Sequence, residues 1–581
     1  MWLNVGAEPL YAVVHRPASD HRRDTAVLIV PTFGWDDMTS YRARREWARE
    51  LAEAGFETVR IDLPGSEESV GSPLAPGRYQ SWIDTVIEVT SWLRESSVCS
   101  RVAVIGIGLG GTLALQAMAA RAVIDDLVVW AVPARGRTYL REVRMHSDLI
   151  AGMVGESQPG RSDGALELSG YLMSAETAAI LSDTRLTDLT FPPAESRRVL
   201  MLGRDARGVD ENLRRHLEGA GLEVTVHDAT DHEKLTAHPT AGQVPRESIA
   251  TTIGWLEEVA GTTARPSLIG ADGVSDTITL EYEGRMIRER LVEYETTGGR
   301  VVGIVAEPLE GEPAGFCALA VNTGALRRGG PNRMGTEQGR HCAAWGCPAA
   351  RFDLIGIGDA DGQYVNLIER TEADEAQTLA VLVELCDHLR GDGVADRFLA
   401  LGLCSGARWG FKLALADARV IGAFLVNLPN LRWQTPVWVP ALSDVQRDPG
   451  ELSMRHRIGQ RLRALPASDR AWAGSVTWTC IHKTRWLGDS GYRADHRVLR
   501  AALRTVHRRD LRVELVFSLG EPVHRRLRES RLLTKLERGC PSVTVGEVPT
   551  RDHEVRPTWV RDKIIPRLDR VLDDCQRASL S

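Results

Sequence analysis

Short, uniformly apolar runs alternate along this chain with longer segments in which apolar positions recur every three or four residues. The runs TAVLIV from Thr25, RVAVIGI from Arg101 and LVVW from Leu127 are bounded by glycine, proline and acidic turns. They read as strands buried on both faces. Helical stretches lie between such runs, Leu367–Leu389 being a clear one. Strand and helix in alternation predict an α/β fold, a mostly parallel sheet with helices on both faces.

The same order occurs twice. In the first half TAVLIVP is followed by ETVRIDLPGSEESVG, with Arg60, Asp62 and Gly65, then by RVAVIGIGLGG and LVVWAVP. In the second half CALAVNTGALRRGGPNR from Cys317 is followed by AARFDLIGIGDADG, with Arg351, Asp353 and Gly356, then by FLALGLCSGARWG and VIGAFLVNLP. Asp62 and Asp353 are 291 residues apart, and Gly108 and Cys404 are 296 apart. Late in each copy comes an Asp-His pair, Asp231-His232 and then Asp552-His553, 321 residues apart. Two tandem domains are therefore expected, residues 1–262 and 275–581. The Gly/Thr/Pro/Ser-rich stretch Gly261–Asp276 is their joint. Each copy should open with an antiparallel hairpin, best seen in Thr277–Glu283, Met286–Glu295 and Val301–Glu307.

Composition narrows the class. The 581 residues carry a net charge of −7 and only five lysines among 71 basic residues, so arginine is a general habit of the chain rather than a nucleic-acid signal. Nine cysteines without a CxxC pair fit a reduced, cytoplasmic protein. The N-terminus lacks the pattern of a signal peptide, and no run is apolar for long enough to span a membrane.

The candidate chemistry lies at Gly402-Leu403-Cys404-Ser405-Gly406, between the strand FLAL and a helical segment. This resembles the nucleophile elbow of the α/β-hydrolase superfamily, with cysteine in place of the commoner serine. A sharp strand-to-helix turn would hold Cys404 at a helix N-terminus, where the dipole favours a thiolate. The competing reading is an inert buried thiol. Ser405 is the weaker nucleophile, since the residue after the nucleophile supplies a backbone N–H. The superfamily's chain order implies His553 as the base and an acid after the preceding strand. Glu521 is the candidate acid, although direct alignment with Asp205 of the first copy falls on Pro522. Asp552 is the alternative, as a residue that caps the final helix. The oxyanion hole would use the N–H groups of Ser405 and Ala325. Arg327, Arg328 and Arg333 either bind an anionic substrate group or are solvated loop arginines.

The first copy reads Gly106-Ile107-Gly108-Leu109-Gly110-Gly111 at the equivalent turn, with no nucleophile, and is expected to be structural. The run also fits G-x-G-x-x-G, with Asp126 20 residues past Gly106. A dinucleotide site should open the fold, however, and here strands precede it. HEKLTAH, from His232 to His238, lacks the HExxH spacing of a zinc site. No metal or cofactor is expected.

The motifs NTGALRRGGPNR, RFDLIGIGDADG and GLCSGA resemble serine-aminopeptidase-like α/β hydrolases, including those associated with exosortase and natural-product gene clusters, over roughly residues 275–575. The resemblance implies a nucleophile–acid–histidine triad acting on an acyl substrate. Dienelactone hydrolases and polyhydroxyalkanoate synthases share the cysteine elbow. Residues 430–510 would form a cap. From Arg432 to Asp510 it holds 15 basic and 7 acidic side chains, together with Trp433, Trp438, Trp472, Trp478 and Trp486. Trp433 and Trp438 would line an acyl tunnel whose basic rim suits coenzyme A or an acidic carrier protein; alternatively the tryptophans fill the cap's own core. The expected activity is acyl transfer from an ester or thioester through a Cys404 thioester. The alternatives are hydrolysis by the same triad, as an esterase or thioesterase, and a silent binding scaffold.

Overall fold

The structure is a computed structural model that describes residues 1–17, 22–97, 99–154, 161–193, 197–204, 207–241, 243–263, 269, 273–362, 372–429, 490–529 and 541–580. The chain divides into two compact units, residues 1–429 with 511–581, and residues 430–510. Of the second unit the helix Ser490–Arg508 is described. Trp433, Trp438, Trp472, Trp478 and Trp486 lie outside the described residues.

Among the described residues the first unit contains two nine-stranded sheets of the same design, those of two tandem α/β-hydrolase folds. In the first sheet the parallel strands run in the order Glu223–His227, Arg198–Leu202, Asp126–Trp130, Arg101–Ile107, Thr25–Val30 and Glu57–Ile61. In the second the order is Val543–Val548, Arg512–Ser518, Val420–Val426, Phe398–Leu403, Cys317–Val321 and Ala349–Asp353. Three more strands close the far edge of each sheet. In the second they are the meander Thr277–Tyr282, Arg285–Thr296 and Gly299–Pro308. In the first, Leu10–His15 and Trp2–Leu3 are joined by Val274–Ser275, a strand taken from the joint. The joint is thus tied down at its described ends, because Thr262–Thr263 also pairs with Arg22–Arg23. The uniformly apolar runs are buried on both faces because helices pack on each side; TAVLIV is buried at all six positions. Leu367–Leu389 is observed as the helix Glu372–Gly391, residues 367–371 being outside the described residues.

The copies meet across a buried ionic network with reciprocal contacts. Arg60 pairs with Asp359 at 2.8 Å, and Arg351, 291 residues after Arg60, pairs at 2.7 Å with Glu68, which lies 291 before Asp359. Tyr41 donates to Asp359 at 2.6 Å, and Thr336 donates to Glu68 at 3.0 Å. A surface that meets its own counterpart in this way has the contacts of a two-fold interface, here within one chain. Burial alone would raise both carboxyls. At Asp359 the guanidinium groups of Arg60, Arg328 and Arg327 reverse this and hold it well below the usual range, as Arg351, Arg328 and Arg327 do at Glu68.

At Glu67, as at Asp353 and Asp37, burial prevails instead. Burial outweighs the distant partner of Glu67, Arg327 at 3.8 Å, and pushes the Glu67 carboxyl up to about 8 from 4.5. The folded chain therefore holds a proton there that the unfolded chain has released, so stability falls as pH rises from 4.5 through about 8. Glu67→Gln should remove that loss. Its melting temperature is expected to gain on the wild type between pH 5 and pH 9, and parallel melting curves over that range would contradict the assignment.

Candidate active site

Phe398–Leu403 ends at Cys404, and the helix Ser405–Ala416 begins one residue later. Cys404 adopts φ 54° and ψ −119°, a conformation that costs a side-chain-bearing residue about 1–3 kcal/mol. The turn is tight enough to require both flanking glycines. A Cβ on Gly402 would lie 2.3 Å from Gly406 C, and one on Gly406 2.5 Å from Val321 O. Of the described cysteines Cys404 alone is partly exposed, while Cys99, Cys317, Cys342, Cys347, Cys386 and Cys575 are buried. Burial pushes the thiols of Cys342, Cys386 and Cys575 up to about 12.

The Cys404 sulfur and the His553 imidazole are close enough to interact electrostatically. On its other side, His553 Nδ1 lies 2.7 Å from Glu521 Oε1, which leaves Nε2 for the sulfur. The His553 side chain is 35% exposed and Glu521 11%. Burial works to lower the His553 pKa, but the Cys404 sulfur and then the Glu521 carboxylate overcome it, holding the imidazolium well above 6.5. Glu521 reaches the ring because Arg512–Ser518 ends in a Leu519-Gly520 turn, with Gly520 at φ 88°. Asp552 faces away, clamping Arg556 at 2.6 and 3.0 Å and accepting the Glu554 N–H.

Asn427 was not foreseen. At φ 51°, directly after Val420–Val426, its Nδ2 donates to His553 O at 2.6 Å and to Ser518 Oγ at 2.9 Å, while its Oδ1 accepts Ser518 N–H at 2.6 Å. It ties the histidine loop to the strand that precedes Glu521. The one sequence signal was a polar residue with turn propensity at the end of an otherwise apolar strand.

Ser405 Oγ accepts the Gly324 N–H at 2.6 Å, which anchors the turn Thr323–Leu326, closed by Leu326 N–H on Thr323 O at 3.0 Å. Among the described residues no acceptor takes the N–H of Ser405 or of Ala325.

Arg327 and Arg328 require correction as substrate-binding candidates. Both are buried in the network between the copies. Arg327 grips Asp62 at 2.9 and 2.6 Å beneath the Tyr41 ring, and Arg328 pairs with Asp353, with Glu68 at 3.2 Å and with Asp359 at 3.2 Å. Arg333 is likewise buried on Ser69 O and Gly71 O. Carboxylates thus hold the Arg327 and Arg328 guanidinium groups, and backbone carbonyls that of Arg333, within the protein.

The first copy retains the turn without the side chain. Gly108 has φ 52° and ψ −114°, nearly the angles of Cys404. The space above it is filled. A Cβ there would lie 2.9 Å from Thr32 Oγ1 and 3.4 Å from the Tyr139 ring, whose hydroxyl lies 3.3 Å from Thr32 Oγ1. His232 packs on Trp130, and burial pulls its pKa down to about 4. Asp231 holds the Ser248 hydroxyl and N–H at the start of Arg246–Glu257. Asp205 lies outside the described residues. Asp126 is paired with Arg101 and Arg198 inside the sheet, which leaves nothing for a ribose. Among the described residues no group of three or more His, Cys, Asp or Glu side chains could hold a metal ion, and no helix is long and apolar enough to cross a membrane.

Residues 27–273 match the family model described as Alpha/beta hydrolase family. The match falls on the copy that lacks the nucleophile. No curated protein matches the chain. Among solved structures, the chain is similar to Est1E from Butyrivibrio proteoclasticus, bound to ferulic acid, at 14% identity and TM-score 0.32, covering 44% of this chain and 98% of that one. An esterase from Exiguobacterium antarcticum gives 15% identity and TM-score 0.31 over 44% and 99% of the two chains. Proline iminopeptidase from Mycobacterium smegmatis gives 15% identity and TM-score 0.29 over 44% and 97%.

Proposed function

We propose that this chain is an acyl-transfer enzyme that takes an acyl group from an ester or thioester onto Cys404. The supporting observation is the His553 ring hydrogen-bonded to Glu521 and interacting with the Cys404 sulfur, which sits at a strained turn that opens a helix. His553 Nε2 takes the thiol proton, and the thiolate attacks the acyl carbonyl. The N–H groups of Ser405 and Ala325 receive the developing oxyanion. As the tetrahedral species collapses, the leaving alcohol or thiol recovers the proton from His553. Glu521 keeps the ring oriented and its positive charge stabilised.

Cysteine favours transfer over hydrolysis, since exchange of one thioester for another is close to isoenergetic and a thioester reacts readily with amines. Coenzyme A or a carrier protein fits as the thioester donor. The hydrolase reading is favoured by the family match of residues 27–273.

The test is intact-mass analysis after incubation with a p-nitrophenyl ester and with an acyl thioester, followed by peptide mapping. An acyl adduct on Cys404 is expected, and release to an amine or alcohol acceptor faster than to water would separate transfer from hydrolysis. An unmodified Cys404 under conditions that label other thiols would favour a binding scaffold. Glu521→Gln should lower turnover roughly 10²–10⁴-fold. It should also move the His553 titration down toward 6.5, because the carboxylate that stabilises the imidazolium is gone. An unshifted midpoint in the pH–rate profile would remove Glu521 from the triad.

A further inference from the structure

The copy without a nucleophile touches both loops that surround Cys404, and one side chain reaches both. Trp35 opens the helix Trp35–Glu53, after Gly34 at φ 70°, and is 8% exposed. On one side it belongs to an apolar cluster with Met38, Ile150 and Leu326, and Leu326 follows Ala325 directly. On the other, the Arg556 guanidinium lies 5.4 Å from the centre of its ring. Arg556 holds Asp552, the residue before His553.

The same copy braces the histidine loop elsewhere. Glu167 accepts the Thr558 N–H at 2.8 Å and the Thr558 hydroxyl at 2.7 Å, at the start of Thr558–Leu580. His238, whose ring lies 6.1 Å from that of Trp35, approaches Glu554 at 3.7 Å. Gly170, at φ 88°, passes so close that a Cβ would sit 2.3 Å from Arg556 O.

We infer that Trp35 is a positioning residue, the shared wedge that holds the Ala325 turn and the His553 loop in register around the Cys404 sulfur. The inference rests on the roles proposed above for Cys404, His553 and Ala325. Trp35 touches no reacting atom. It acts through Leu326 on one donor of the oxyanion hole, and through Arg556 and Asp552 on the base.

Two reactions at the same sulfur separate this role from general packing. Alkylation by iodoacetamide needs the thiolate but no oxyanion hole, whereas acylation by a p-nitrophenyl ester needs both. In Trp35→Ala the acylation burst should slow about 10- to 100-fold, since a displacement near 1 Å is enough for such a loss. Alkylation of Cys404, followed by peptide mapping, should slow by less than acylation, because it senses the displaced His553 loop but not the displaced oxyanion donor. Trp35→Phe, which retains a ring face for Arg556, should recover most of the burst. Should Trp35→Ala prove insoluble, Trp35→Leu retains apolar volume without the ring face and should show the same split. An unchanged burst, or equal losses in both reactions, overturns the inference while the proposed function stands. A wild-type protein acylated nowhere at Cys404 overturns the proposed function and this inference together.

Discussion

Cys404→Ala is expected to lower turnover of an ester or thioester by at least about 10⁴-fold and to abolish the covalent adduct. The expectation follows from how the turn is built. With the sulfur gone, the Glu521–His553 pair remains assembled but has no atom to deprotonate, and the Ser405 and Ala325 donors face a carbonyl that nothing attacks. Ser405 cannot substitute, because its hydroxyl is engaged by the Gly324 N–H. Cys404→Ala also relaxes a side chain held at φ 54° only slightly, since alanine still carries a Cβ, so the loss should come without a large change in stability. Turnover and intact-mass measurements on one preparation check both halves. A variant that retained more than about a tenth of wild-type turnover would leave the sulfur without a chemical role.

Glu68→Gln should produce the largest loss of stability, roughly 3–5 kcal/mol. Glu68 is fully buried and accepts from Arg351 at 2.7 and 3.1 Å and from Thr336 at 3.0 Å, with Arg328 at 3.2 Å. A neutral amide leaves two buried guanidinium groups short of a counter-charge, far from water. Arg390→Ala is the internal control: its pair with Asp396 is at the surface, and less than about 1 kcal/mol should be lost. The denaturation midpoints of both variants in urea give the comparison, and similar shifts would show that the network contributes no more than surface charge. The pH dependence has a definite sign. Because the folded-state pKa values of Glu68 and Asp359 are depressed, their contribution is present above the ordinary carboxylate range and disappears as pH falls through the folded values.

The α/β plan was legible because strands buried on both faces need no partner information: their apolar run is the signal, and TAVLIV or FLALGL carries it locally. The elbow was legible for a similar reason, since Gly402, Cys404 and Gly406 meet one another within five residues. Glu521 was legible only with a shift of one residue, because it follows a Leu519-Gly520 turn and a turn leaves no periodic pattern from which to align. The roles of Arg327 and Arg328 were not legible. Their partners Asp62 and Glu68 lie some 260 residues earlier, and an Arg-Arg pair in a loop looks the same whether it faces water or a carboxylate. Nor did the glycine run at 106–111 disclose that Tyr139 had filled the space, because the ring arrives from a helix about 30 residues away.

The reciprocity of Arg60–Asp359 and Arg351–Glu68 bears on how the two halves were able to diverge. Between separate molecules, a self-paired surface assembles only above a threshold concentration, and every substitution strikes both sides together. Joined in one polypeptide, the faces meet at an effective concentration of about millimolar, independent of expression level. Each side then changes alone. Under that arrangement one centre can be sealed by a tyrosine and reduced to a brace without dissolving the partnership, while its twin keeps the sulfur.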